Sequence, residues 1–113
     1  MLRNASTRRF PRAPVELPVH LRVLGDRRRN SVALATVIGA GGCMLVARDS
    51  IGFLTLMEVK ISLPGRVVSA DARVAWEVRR PSGEHHVGVE FLRISPGDRT
   101  LISTIVAQTG AAA

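Results

Sequence analysis

The sequence predicts an all-β fold with one helix: a small six-stranded antiparallel β-barrel, with a flexible basic arm before it and a C-terminal amphipathic helix packed on it. Three observations lead there. Apolar and polar residues alternate in short runs, Gly- and Pro-bearing turns separate the runs at regular spacing, and only the last stretch has a helical period. Six short strands at even spacing close readily into a barrel that one helix can cover.

Residues 1–14 read as the arm. They hold Arg3, Arg8, Arg9 and Arg12, no acidic residue, and too few apolar side chains to fold alone. Val15, Leu17, Val19, Leu21 and Val23 then alternate with Glu16, Pro18, His20 and Arg22, the pattern of a half-buried strand. Pro18 has no N–H to donate, which predicts an edge position or an N–H facing away from a neighbour. A turn over 25–30 follows, with Arg27-Arg28-Arg29 at an exposed tip. Residues 31–38 read as a second strand, buried on both sides by its composition. Gly39-Ala40-Gly41-Gly42 interrupts it, and 43–47 form a third.

After a loop over 48–53, Met57, Val59, Ile61 and Leu63 alternate with Glu58, Lys60 and Ser62 in a fourth strand, closed by Pro64-Gly65. The fifth is long, with a bend expected near Ser69. It carries Ala70, Ala72, Val74, Trp76 and Val78 on one face, which makes Trp76 a core residue. Pro81-Ser82-Gly83 leads to a sixth strand, where Val87, Val89 and Phe91 face one way and His86, Gly88 and Glu90 the other. Ser95-Pro96-Gly97-Asp98 offers an N-cap serine, a proline at the first helical position and an acid three residues after the cap. Leu101, Ile102, Ile105 and Val106 form its apolar stripe. Barrel and helix make one domain over 15–108, with 109–113 expected as a frayed tail.

The chain has 113 residues, 46% of them hydrophobic, enough for one core and too few for two domains. The formal charge is +7, and 15 of the 16 basic residues are Arg. Guanidinium groups grip phosphate with paired hydrogen bonds and stack on bases, so such an arm points to nucleotide or other anionic ligands. GC-rich coding is the plain alternative source for part of the Arg count. Ser6-Thr7-Arg8-Arg9 looks like the start of a twin-arginine export signal, but Pro14, Glu16, Pro18 and His20 stand where its apolar stretch belongs, which predicts a cytoplasmic protein. The single Cys43 excludes an internal disulfide and reads as a small core residue. His85-His86 would point to opposite faces of a strand, and no clustered carboxylates accompany them, so no metal is expected. No nucleophile, base and oxyanion donors can be assembled, so the chain is not expected to be an enzyme.

Arg8-x-x-x-Arg12 before the first strand, the Gly41-Gly42 turn, Gly88-Val89-Glu90-Phe91 late in the chain and the final helix together resemble the PilZ domain, a bacterial six-stranded barrel. The resemblance covers residues 7–108. It implies a stand-alone receptor or adaptor for the second messenger cyclic di-GMP. Arg8, Arg9 and Arg12 match the arginine motif that grips phosphates and stacks on guanine. The resemblance also implies a second motif after strand two: Asp or Asn, any residue, Ser, two residues, then Gly. Here Gly42 matches, while Val37 replaces the acid or amide and Gly39 replaces the serine. Losing two hydrogen bonds to the ligand would cost about 2–4 kcal/mol, roughly 30- to 1,000-fold in affinity. Backbone N–H groups of Gly39, Gly41 and Gly42 can still form an anion nest, and the plain alternative for these glycines is a tight turn needing positive φ.

Three readings follow. Cyclic di-GMP binds, the arm orders against the barrel, and an effector protein recognises the result. Alternatively, a degenerate PilZ domain acts as a nucleotide-independent interaction module in motility, pilus or signalling pathways. The third reading is a general polyanion or nucleic-acid binder driven by net charge, which would show steep salt dependence and no preference for a guanine ligand. With only four aromatic residues and no Tyr, nucleic acid is the less expected partner.

Overall fold

The computed structural model describes residues 11–112. Six strands and a helix follow one another: β1 (Arg12–Val23), β2 (Asn30–Gly39), β3 (Gly42–Ala47), β4 (Leu56–Leu63), β5 (Arg66–Arg79), β6 (His85–Ile94) and α1 (Pro96–Ala112). All neighbours are antiparallel, and the strands close into a barrel in the order β1-β2-β3-β6-β5-β4. Closure leaves no strand at a sheet edge. β1 pairs with β4 only from Val19 onward, so Pro18 faces Leu34 of β2 on one side and has no β4 partner on the other. Proline stands where one ladder is missing, as its lost donor requires.

Alternate residues fill the interior, except where a register shift, as between Ala35 and Val37 of β2, changes the phase. Val19 and Leu21, Ala35 and Ile38, Leu45, the β4 series from Met57 to Leu63, and Val87 and Val89 are all buried. Each large aliphatic side chain withdrawn from water contributes about 1.5–3 kcal/mol. Helix α1 adds Ile102 and Val106 to this core, with Leu101 and Ile105 packed against it from the side. Its start is capped as expected: the Ser95 hydroxyl accepts the Asp98 N–H at 3.1 Å. The Asp98 carboxylate does not close the box. It accepts from Arg66 Nη2 at 2.9 Å and so ties α1 to β5.

Several sequence expectations need correction. β1 begins at Arg12, paired with Gly39, and Ala13 is buried, so residues 12–14 belong to the barrel rather than the arm. Arg8 and Arg9 lie outside the described residues. α1 runs to Ala112 instead of fraying at 109, because alanines outweigh the cost of one glycine in a last turn. β2 is not buried on both sides: Val32 is 71% exposed, since a small barrel has only one interior face. β5 pairs with β4 without interruption through Ser69, and its register against β6 shifts between Asp71 and Ala72 and between Val74 and Trp76. The second shift moves Trp76 and Val78 from the core to the outer face, where they are 43% and 48% exposed.

The same shift turns Glu77 toward the mouth of the barrel, beneath the loop that joins β3 to β4. Its carboxylate accepts the Ile51 and Gly52 N–H groups at 3.0 and 2.9 Å and the Ser50 hydroxyl. Nδ1 of His85 lies 3.3 Å away, an ion pair when the imidazole is protonated. Burial alone would raise the Glu77 pKa, but donations from Gly52, Ser50 and Ile51, with His85 beside it, outweigh burial and hold it below the ordinary value. A depressed folded pKa contributes stability above the unfolded value and loses it as pH falls through the folded one. Glu77→Gln should therefore cost about 2–3 kcal/mol at neutral pH. The gap to wild type should narrow below pH 4.5, the ordinary glutamate value. Urea unfolding at several pH values checks both.

Candidate functional site

Where β1 starts, β2 ends and β3 begins, the outer wall of the barrel is dented. A cleft of about 400 Å³ opens there, lined by Arg12, Val37, the Gly41-Gly42 turn, Met44, Trp76 and Glu90, with Cys43, Ala75, Gly88 and Val89 completing its floor. That volume lies within the range of small-molecule sites. Strand register builds the floor. Val37 pairs with Met44, Met44 with Gly88, and Gly88 with Trp76, so one row crosses four strands. Glycine at 88 is essential to this row, because a Cβ there would meet the Trp76 ring at 2.1 Å. The indole occupies the space over β6 that a side chain at 88 would take.

The glycines of the turn answer to backbone proximity. A Cβ at Gly42 would meet the Val89 carbonyl oxygen at 2.1 Å, and one at Gly39 would lie 2.7 Å from the Pro11 carbonyl oxygen. The positive φ angles of the described glycines fall at Gly25, Gly52, Gly65 and Gly83, not in this turn. The expectation of a positive-φ turn is thus corrected: the constraint is close approach of neighbouring strands. For Gly39 the consequence is chemical, since a serine hydroxyl cannot be accommodated unless the start of β1 shifts.

Of the residues singled out in the sequence, Arg12, Gly41 and Gly42 line the cleft, Gly39 lies at its edge under β1, and Arg8 and Arg9 are not described. Arg12 is exposed and has no ion-pair partner among the described residues. Sequence reasoning missed Trp76, which it placed in the core, and Glu90, which it gave no role. Arg73 donates to Glu90 Oε1 from Nε at 2.9 Å and also from Nη2. The only available signal for Trp76 was Gly88 itself, a glycine inside a strand where another group approaches closely.

Cys43 is buried, and burial pushes its thiol up to about 12, so it stays a neutral packing group at ordinary pH. Among the described residues no group of three His, Cys, Asp or Glu could hold a metal ion, and no helix is long and apolar enough to cross a membrane. The arrangement offers one guanidinium for an anion, one exposed aromatic face for a flat ring and one carboxylate for a donor edge. Gly88→Ala should lift the indole off β6 and raise its exposure. Because Trp76 is the one tryptophan in the chain, a red shift of intrinsic fluorescence and faster acrylamide quenching would report it directly.

Comparison with known proteins agrees with this architecture. A search of curated proteins finds no match. Among solved structures, the Bacillus subtilis inhibitor of motility MotI superposes with a TM-score of 0.81 at 21% identity, covering 93% of this chain and 52% of that one, so the chain spans about half of MotI's length. The PilZ domain of Escherichia coli YcgR, determined with cyclic di-GMP, superposes at 0.70 with 14% identity, covering 93% and 92%. Borreliella burgdorferi PlzA, also in complex with cyclic di-GMP, reaches 0.63 at 9% identity, covering 96% and 55%. The family model of the PilZ domain matches residues 6–108, and the chain belongs to that family.

Proposed function

We propose that this domain is a cyclic di-GMP receptor or adaptor rather than an enzyme, and that it acts in the cytoplasm. The observation that carries this reading is the placement of Arg12 and the exposed ring of Trp76 on one cleft, at the root of the arginine motif. Arg12, joined by Arg8 and Arg9, holds the phosphates through charge-assisted, paired hydrogen bonds. Trp76 supplies a stacking surface for a guanine, a contact worth about 1–3 kcal/mol per base. Backbone groups of Gly41 and Gly42 line the floor. Support comes from the family and from the two relatives whose structures were determined with the same dinucleotide.

Ligand capture draws the arm over the cleft, and the surface so formed is what an effector protein recognises. An order–disorder or closure step of this kind converts ligand affinity into a binding signal. The second reading, a nucleotide-independent interaction module, is favoured by one specific observation. Val37 presents no hydrogen-bonding side chain to the cleft, and Gly39 has no room for one.

Titration of the purified chain with cyclic di-GMP at physiological salt, with GTP as control, separates these readings. The receptor reading expects saturable binding that GTP does not reproduce. Arg12→Ala should then lower affinity about 10- to 100-fold, with a nearly unchanged melting temperature. A large fall in melting temperature instead would assign Arg12 to holding the barrel. No binding at high micromolar ligand would favour the interaction module.

A further inference from the structure

Glu90 stands in the cleft with a role that barrel stability does not require. Its ion pair with Arg73 joins two half-exposed side chains, with relative exposures of 45% and 40%. Such a surface pair is worth about 0–1 kcal/mol. Both donations from Arg73 go to Oε1, and Oε2 has no partner among the described residues. Val37, which occupies the place of the family's acid or amide, lines the same cleft.

We infer that Glu90 is the specificity-determining group of the cleft, its carboxylate reading the donor edge of guanine in place of the missing side chain at Val37. This rests on the cleft being the dinucleotide site. A carboxylate is an acceptor only. Guanine presents two adjacent donors, N1–H and the exocyclic amine, which a carboxylate can accept side by side. Adenine presents an acceptor at N1, so the same carboxylate meets it with lone pair against lone pair. Arg73 neutralises part of the Glu90 charge, which lets a carboxylate share a cleft with a dianionic ligand. Arg12 and Glu90 thereby give the cleft a polarity, phosphate toward the guanidinium and base edge toward the carboxylate.

The test follows Trp76 fluorescence while the full chain is titrated with cyclic di-GMP and with cyclic di-AMP. Wild type should prefer the guanine ligand by at least about tenfold. Glu90→Gln should lower guanine affinity about 10- to 100-fold and erase most of the preference. Arg73→Met keeps the carboxylate; it should retain the preference while lowering both affinities. A guanine-to-adenine ratio unchanged in Glu90→Gln would overturn the inference while leaving the cleft as the binding site. Equal loss of the ratio in Arg73→Met would also overturn it, by assigning discrimination to the ion pair. If wild type binds neither dinucleotide, the receptor reading fails and takes this inference with it.

Discussion

A single additional residue in β5 sets the character of the barrel's outer wall. Between Val74, opposite Val89, and Trp76, opposite Gly88, the strand advances two residues while β6 advances one. A bulge of this type reverses which side chains face inward and sharpens the local twist. Trp76 is carried outward onto the cleft, and Glu77 is carried inward beneath the β3–β4 loop. Without the extra residue a large indole would compete for core volume already occupied by aliphatic side chains. Glu77 would then point to solvent, leaving the Ile51 and Gly52 N–H groups without their acceptor. One bulge thus provides both the aromatic surface of the candidate site and the anchor of the loop at the barrel's mouth.

Backbone proximity then decides which chemistry the cleft can carry. Gly42 lies against the Val89 carbonyl and Gly39 against the Pro11 carbonyl, so neither position can bear a side chain without moving a strand. The absent hydroxyl at position 39 is therefore a property of how β1 crosses β2, not a lone substitution that serine could reverse. Polar groups must reach the cleft from elsewhere. Arg12 does so from the first residue of β1, and Glu90 from β6, the strand paired to Gly42.

Much of the fold was legible in the sequence because the barrel is built on two-residue alternation, which β3 and β4 keep throughout and the other strands keep between their irregularities. The capping serine, the helix stripe and the turns at Gly25, Gly65 and Gly83 are local signals with local causes. What the sequence hid was register. Alternation across Ala70, Ala72, Val74, Trp76 and Val78 looks continuous on paper, and nothing in Ala75 announces that it is an extra residue. The valines and leucines of β2 likewise read as doubly buried, although Val32 and Leu34 face outward. Propensity distinguishes strand from loop but not inside from outside when both faces carry aliphatic residues. The candidate site was half legible for the same reason. Arginine spacing and the glycine turn are sequence features, while the contributions of Trp76 and Glu90 depend on a bulge and a cross-strand row.

Arg12 ties the end of the arginine motif to the barrel. It is at once the first residue of the β1 ladder, paired with Gly39, and a wall of the cleft. Pro11 precedes it, and its carbonyl oxygen lies 2.7 Å from where a Cβ on Gly39 would stand. Proline restricts φ and removes a donor, so the chain's direction is set just where it enters β1. Three or four residues of chain, at most about 10–14 Å, separate Arg12 from Arg9 and Arg8, which is the spacing the receptor reading needs for all three to meet one phosphate group. The proposed function would couple anion binding at the cleft to closure of the arm through this short spacing. Under the proposed receptor function, the phosphate contacts themselves would supply the free energy for closure, so the missing hydroxyl at position 39 would weaken the ligand's hold without removing the guanidinium grip.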